Sequence, residues 1–533
     1  MMQDIRRRFM MRFMMRSGMG TLVIVWALGG AAFPAVNTAT AEAYTTPSSP
    51  SYPLKVSTNG RYLVDQNNMP FMIVGDSPQS LIGRLSTSDA AFYMANRRRY
   101  GINTLWVHLL CNDKIACHKD GTTFDGTSPF MMPGDITKPN AAYFGRVEEM
   151  LKIAAAHGIT IMLDVVETSG WLDTFKTNGP EKAAAFGQYV GSRYKDVPNI
   201  IWMYGNDFQT WENPDDDGVV LAVANGIKSV DPRHIHTTEL NYPTSGSLDD
   251  TRWEALVELD GAYTYYHTYA RVLTEYNRRN LKPIFMEEAS YKFEHNANTD
   301  GGSTANLRRQ EYWTMLSGAT GQLYGSKYTW ALPTGWFSSW RSHLDTPGVT
   351  QLGYMKNLFA RLRWYDLVPD QIHTVVTDGY GTPAPLGTGS VATDTYATAA
   401  RAPDGRLVIV YVLTIRPITV DMSKLSGPTA ARWYDPALAS ISRWAARYSQ
   451  TRAARSSRRR ARTTIATGTG YLSSKQAKRR SSCGWRSWKP ATPKRSAGSP
   501  PRSGRCRYAR GTKEAQQAAI SFLAKRSCTT GVQ

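Results

Sequence analysis

Two runs about eighty residues apart, Asn199-Ile-Ile-Trp-Met-Tyr-Gly-Asn-Asp207 and Lys282-Pro-Ile-Phe-Met-Glu-Glu-Ala-Ser290, each carry an apolar stretch into a carboxylate. If both are parallel staves of one barrel, their C-terminal ends share a rim, and Asp207 faces a glutamate of the second run across a cleft. Carboxylates so paired suit cleavage of a glycosidic bond. One acid protonates the leaving oxygen while the other attacks or steadies the sugar cation, at a separation of roughly 5 to 5.5 Å when configuration is retained. Strand residues alternate faces, so Ile284, Met286 and Glu288 are expected on one side, with Glu288 where the strand opens into its loop. Glu288 is thus the cleft residue, and Glu287 is left to a structural pair. For Asp207 the competing role is a helix cap or a rim ion pair. The adjacent Asn206 suits a hydrogen bond to a sugar hydroxyl.

Other polar residues fall near the same rim. Asp76 ends the first strand and is placed either to hold a sugar hydroxyl or to stabilise a turn. His108 and Asp164 point from the second and third strands, where a buried, hydrogen-bonded histidine is the alternative for His108. Tyr265 and His267 follow the sixth strand, and a phenol there can steady the nucleophile carboxylate. Trp330 and Trp336 offer aromatic faces to the C–H faces of sugar rings, with core packing as their other use. This chemistry calls for no metal and no cofactor.

The elements that must position these groups alternate along the chain. A hairpin from Tyr52 to Met72 turns at Asn59-Gly60 and leads into Phe71-Met-Ile-Val-Gly-Asp76. Helices are expected at 88–100, 143–157, 181–194 and 304–316. Strands are expected at 102–110, 159–166, from Ile200, 234–240, 259–266, from Ile284 and 323–330. Near-continuous apolar strands separated by helices argue for a parallel sheet covered on both faces, and eight such units fit a (β/α)₈ barrel over residues 44–350. A doubly wound open sheet is the rival, but Gly75-Asp76-Ser77-Pro78 stands where its glycine-rich phosphate loop would be. After a helix at 351–362, the runs 396–405 and 406–413 form a hairpin at Pro403-Asp404-Gly405. With 418–421 and 431–435 they begin a small antiparallel β-sandwich over 351–436 that stops unfinished.

Five motifs stand out: Phe71-Met-Ile-Val-Gly-Asp-Ser77, Asn199 to Asp207, Pro283-Ile-Phe-Met-Glu-Glu-Ala-Ser-Tyr291, Gly318-Ala-Thr-Gly-Gln-Leu-Tyr-Gly325 and Ala431-Arg-Trp-Tyr-Asp-Pro436. Together they resemble the apiosidase-like glycoside hydrolases, in which such a barrel precedes a sandwich named for collagen binding. The resemblance runs from about Tyr52 to Pro436. It implies an acid/base role for Asp207, a nucleophile role for Glu288, and a retaining reaction on polysaccharide or oligosaccharide side chains. The chain departs from the family in having Glu287, Ala289 and Ser77 where Gly, Pro and Thr are usual. A noncatalytic carbohydrate- or matrix-binding protein is the alternative, in which the sandwich does the work.

Charge and composition bound the rest. Of 63 Lys and Arg, 23 lie in 437–533 against the single acid Glu514, so residues 1–436 carry 40 basic against 42 acidic side chains. The surplus is all tail and lacks the aromatic and glycine pattern of an RNA-binding sheet, which removes the nucleic-acid reading. Arg6, Arg7, Arg8, Arg12 and Arg16 precede an apolar stretch from Thr21 to Val36, and Ala41-Glu42-Ala43 offers a cleavage site. Residues 1–43 therefore read as an export signal, by ordinary secretion or a twin-arginine route, giving a secreted or periplasmic protein. No later run is long enough to span a membrane. Cys111 and Cys117 either close a small disulfide or remain free thiols.

The tail 437–533 reads as a disordered basic segment, because Arg, Ser, Ala, Thr and Gly dominate it and cannot bury a core. Permitted codons for 437–476, read in a shifted frame, can encode a string ending DGDWVLVLEA, a turn and strand resembling the close of that sandwich. A shifted reading frame after Pro436 is thus expected, with a genuine basic anchor as the other reading.

Overall fold

Runs of three to five residues buried along their whole length form the staves of the barrel. The computed structural model describes residues 22–28, 49–208, 213–295, 301–334, 339–427, 429–448 and 463–465. The staves are β1 (Ile73–Asp76), β2 (Thr104–His108), β3 (Thr160–Asp164), β4 (Ile200–Tyr204), β5 (His236–Thr238), β6 (Asp260–Thr264), β7 (Ile284–Glu288) and β8 (Gly321–Tyr324). They pair in parallel in the order β6-β7-β8-β1-β2-β3-β4-β5, and a short strand Thr244–Gly246 lies antiparallel to β6. The Leu259 amide donates to the His236 carbonyl at 3.2 Å, linking the last stave to the first of that order and closing the ring. This is the expected (β/α)₈ barrel.

Ile73, Trp106, Met162, Ile201, Met203, Leu259, Phe285 and Leu323 fill the barrel. Leu54, Leu63 and Phe71 of the N-terminal hairpin join the same cluster and plug the end where the staves begin. Long helices cover the outside, among them Thr87–Arg99, Ala141–Ala156, Pro180–Tyr194 and Thr304–Leu316. Side-chain oxygens of Ser86, Asn140 and Ser303 accept backbone N–H bonds at three of their starts, satisfying donors that no helical carbonyl reaches. Cys111 and Cys117 are joined as a disulfide.

The expected eighth strand, 323–330, is corrected. β8 ends at Tyr324, and Lys327–Trp330 is a short helix whose N-cap Ser326 accepts from the Tyr328 amide at 3.4 Å.

Beyond the helix Pro347–Phe359 lies the sandwich. Its larger sheet orders Val368–Pro369, Thr398–Arg401, Leu407–Val412, Leu22–Leu28, Thr429–Asp435 and Ser440–Tyr448; the smaller orders Val376–Asp378, Ile418–Val420 and Thr463–Ile465. Leu22–Leu28, from the stretch read above as the core of an export signal, pairs antiparallel with both neighbours. An apolar run containing Leu22, Val23, Ile24 and Val25 has the composition that a gap between two strands selects. Strand pairing also passes Pro436, since Ser440–Tyr448 runs back along Thr429–Asp435. Most of the expected tail lies outside the described residues.

Candidate active site

The chain leaves β4 through Gly205 and Asp207, both with positive φ, at 70° and 53°. A Cβ on Gly205 would strike the Phe208 ring, so only glycine fits there. Asp tolerates the left-handed region better than most residues, and this turn presents Asp207 to solvent at the rim. Its Oδ1 accepts from the Tyr263 hydroxyl at 2.6 Å. Asn206 is buried beneath it, with Oδ1 accepting from the Thr168 amide at 3.0 Å and its own N–H donating to Thr168 Oγ1 at 2.9 Å. Asn206 therefore fastens the Asp207 turn to the start of helix Thr168–Asn178.

Glu288 lies in the cleft, but not because of simple alternation. Ile284 and Met286 pack on the outside of the barrel with Val272, whereas Phe285 belongs to the interior cluster. Unbroken alternation would send Glu288 outward. A bulge intervenes: Ala262 pairs with Met286, but Tyr263 pairs with Glu288. The extra residue on β7 resets the side-chain direction at the rim. Glu288 Oε2 then accepts from the Tyr291 hydroxyl at 2.5 Å, and Oε1 accepts from the Tyr265 hydroxyl. Glu287 is not the structural pair expected of it. It is fully buried, neither side-chain oxygen has a hydrogen-bond partner, and its carboxyl occupies the space a Cβ on Gly261 would need.

Two tyrosines of β6 and its exit thus connect the carboxylates. Tyr263 holds Asp207, Tyr265 holds Glu288, and their rings lie 5.5 Å apart, edge to face. Burial raises the pKa of Asp207, and the Tyr263 hydrogen bond offsets part of the rise; Asp207 remains open to solvent on one side while protein surrounds the rest. Burial, then the nearby charge of Asp207, pushes Glu288 up to about 8, while the Tyr265 and Tyr291 phenols pull it back. The pair therefore resists carrying two negative charges. Two phenols donate to Glu288 and one to Asp207, so once Asp207 holds a proton and its charge no longer opposes Glu288, the donor geometry favours the anion on Glu288.

A third carboxyl was missed in the sequence. Glu239 follows β5, is 1 % exposed, and leaves Oε1 without a partner. Burial, then Glu288, Glu287 and Asp207, raises its pKa well above the ordinary value, so it stays neutral. Its signal was an acid at the end of an apolar stave, the criterion that had identified Asp207. Tyr263 and Tyr291 were also missed. So was Tyr242, a 46 % exposed rim aromatic whose ring lies 5.7 Å from Tyr265.

The remaining sequence candidates divide. His108 and Asp164 do come together, with Nε2 and Oδ2 3.4 Å apart, fully buried. Burial lowers His108 to about 3, and burial with the Glu167 charge raises Asp164, so both are neutral inside the barrel. Trp330 is half-buried near the rim, and its indole donates to Glu294 Oε1 at 2.6 Å. Asp76 faces the other way: Oδ2 accepts from Arg97 Nε at 2.5 Å and from the Tyr93 hydroxyl, and Oδ1 from the Ser77 amide at 2.9 Å. Its oxygens are spent on helix Thr87–Arg99, so it supports the wall rather than a sugar hydroxyl. His267 is likewise drawn away, with Nδ1 2.9 Å from the Thr388 carbonyl and Nε2 3.0 Å from Asp394 Oδ2. Trp336 lies outside the described residues. Among the described residues, no group of three or more His, Cys, Asp or Glu could hold a metal, and no helix is long and apolar enough to cross a membrane.

Comparison with known proteins agrees with this architecture. Residues 57–366 match the model described as "Apiosidase-like, catalytic domain", and residues 386–460 match "Putative collagen-binding domain of a collagenase". The second match, like the strand pairing, extends beyond Pro436. A solved structure titled "Glycoside hydrolase" is 22 % identical, with a TM-score of 0.66 over 79 % of this chain and 95 % of its own. A glycoside hydrolase family 5 protein from Bacteroides vulgatus ATCC 8482 is 23 % identical, with a TM-score of 0.66 over 79 % of this chain and 91 % of its own. At these identities the likeness concerns the fold. No curated protein matches.

Proposed function

Because this chain belongs to the apiosidase-like catalytic-domain family and is a glycosidase, we propose that it releases sugar residues from polysaccharide side chains with retention of configuration, using Asp207 as acid/base and Glu288 as nucleophile. The observation that carries the reading is the pair of carboxylates on one rim, joined through Tyr263 and Tyr265 and unequally supplied with donors. Glu288, held by two phenols, attacks the anomeric carbon as Asp207 gives its proton to the departing oxygen. The Asp207 carboxylate then takes a proton from water, which attacks the anomeric carbon and frees Glu288. Exposed Tyr242 offers an aromatic face beside this centre. Apiose-bearing pectic branches are one substrate that fits the family.

A screen of aryl glycosides and pectic oligosaccharides should find a hydrolysed substrate, and NMR of the first-formed sugar should show the starting anomeric configuration. Initial release of the opposite anomer would overturn retention but leave hydrolysis standing. No turnover across the panel, with binding to matrix polysaccharide intact, would favour the noncatalytic alternative.

We further infer export with removal of residues 1–43. N-terminal sequencing of protein recovered outside the cytoplasm should begin at Tyr44; a sequence retaining Leu22–Leu28 would reject this processing. Cleavage removes the strand between Leu407–Val412 and Thr429–Asp435, leaving two unpaired edges. A shifted frame after Pro436 would supply replacement strands. Independent sequencing of the DNA across that codon decides whether the encoded alternative ends in DGDWVLVLEA.

A further inference from the structure

At the plugged end of the barrel, away from the carboxylates, lies a cavity of about 320 Å³. The N-terminal hairpin, the end of helix Thr268–Tyr276, the segment 363–368 and the sandwich turn at Pro403 and Asp404 line it, and it opens to solvent on one side. Its volume is at the lower end of the range of small-ligand sites, about 300–1,000 Å³.

The lining has a distinct chemistry. Tyr62, Trp364 and Tyr365 give one side an aromatic surface, their rings packed on one another at an angle with Tyr62 6.0 Å from Trp364 and 5.4 Å from Tyr365 between ring centres; Trp364 is buried, and Tyr62 and Tyr365 are half-buried. Beside it, Arg61 is held in place: Nη1 donates to the Tyr276 carbonyl at 2.8 Å, and the guanidinium carbon lies 3.9 Å from the Tyr276 ring centre. The other charges nearby are matched. Asp366 lies 2.5 Å from Arg363, and Asp404 lies 3.6 Å from Arg406. Arg61 makes no ion pair among the described residues, and its remaining N–H groups are available to a ligand.

We propose that this cavity is a second saccharide site that takes a uronate residue of an acidic polysaccharide. A pyranose ring has a C–H face that fits an aromatic wall, and a uronate adds a planar carboxylate that a guanidinium fork can hold with two parallel hydrogen bonds. A neutral sugar would leave the fork unmatched. An acidic peptide or a phosphate would satisfy Arg61 but make no use of Tyr62, Trp364 and Tyr365. The proposal concerns binding and does not depend on the roles assigned to Asp207 and Glu288.

The test is calorimetric titration of the full chain with short oligogalacturonates and with neutral galactan oligosaccharides of equal length. The acidic ligand should bind measurably tighter. Arg61→Met and Tyr365→Ala should each weaken it at least about tenfold, a typical loss for a charge-assisted bond or an aromatic contact. Arg61→Lys, which keeps charge but loses the fork, should fall between wild type and Arg61→Met. Turnover of whichever small aryl glycoside is hydrolysed should stay within about twofold in all three variants, because no group acting at the rim is altered. Because Arg61 also contacts Tyr276, thermal unfolding is recorded for each variant; if Arg61→Met unfolds, Arg61→Lys and Tyr365→Ala carry the test. Equal affinity for neutral and acidic oligosaccharides overturns the proposal. So does undiminished oligogalacturonate binding in the folded variants, or a phosphopeptide that binds more tightly and ignores Tyr365→Ala.

Discussion

Glu288→Gln should reduce turnover at least 10²-fold and closer to 10⁴-fold, on the order of 3–5 kcal/mol of lost transition-state stabilisation, while the thermal transition stays cooperative. The amide cannot form the glycosyl ester, yet it still fits between the Tyr265 and Tyr291 hydroxyls, so the barrel loses little. Asp207→Asn should also cost at least about 10²-fold, but with a telltale split: substrates whose leaving group needs no protonation should suffer least. Tyr265→Phe removes one donor from Glu288 without removing the carboxylate, so its loss should be smaller, about 10-fold, and its pH profile should shift upward because the phenol holds the Glu288 pKa down. Glu287→Gln should do much less than Glu288→Gln. If kcat/KM instead collapses for Glu287→Gln and survives Glu288→Gln, the assignment of the nucleophile is wrong.

That assignment illustrates what the sequence can and cannot reveal. The staves, their order and the rim position of Asp207 were legible, because apolar runs with helices between them leave few ways to bury both faces. The cleft position of Glu288 was legible too, though through a faulty step: Ile284 and Met286 face outward, and only the register shift opposite Tyr263 turns Glu288 inward. A bulge leaves no mark in a five-residue apolar run. Asp76 shows a related limit. A carboxylate at a strand end can tilt into the cleft or toward the helices, and the decision here belongs to Tyr93 and Arg97, about twenty residues on. His267 was claimed by Thr388 and Asp394, more than a hundred residues away, which no local pattern announces. Glu239 failed differently: the signal was present, but no second motif pointed to it.

Buried acids also dictate how this fold should respond to pH. Folding should become less stable as pH rises from about 6.5 to 8.5, by on the order of 5 kcal/mol, since each pKa unit is worth about 1.4 kcal/mol. Glu288 and Glu311 are each raised to about 8 and Glu167 and Asp260 to about 7, all by burial first. Between its ordinary and raised value, each such group binds more protons folded than unfolded, so stability is greatest below the ordinary carboxyl range and is lost as pH climbs through the raised value. Glu239, Glu287 and Asp164 act in the same direction. His108 and His236, lowered to about 3 by burial, oppose this only below about 6.5, because above that value they are neutral in both states. The window from 6.5 to 8.5 therefore isolates the carboxyls. Thermal melts across it should show a steadily falling Tm, and Glu311→Gln should make the fall shallower without touching the rim, since Glu311 lies on the helix Thr304–Leu316. A Tm that holds constant or rises through this window would mean that the buried carboxyls ionise as freely in the folded chain as in the unfolded one, and the upward shifts of Glu288, Glu311, Glu167 and Asp260 would be refuted.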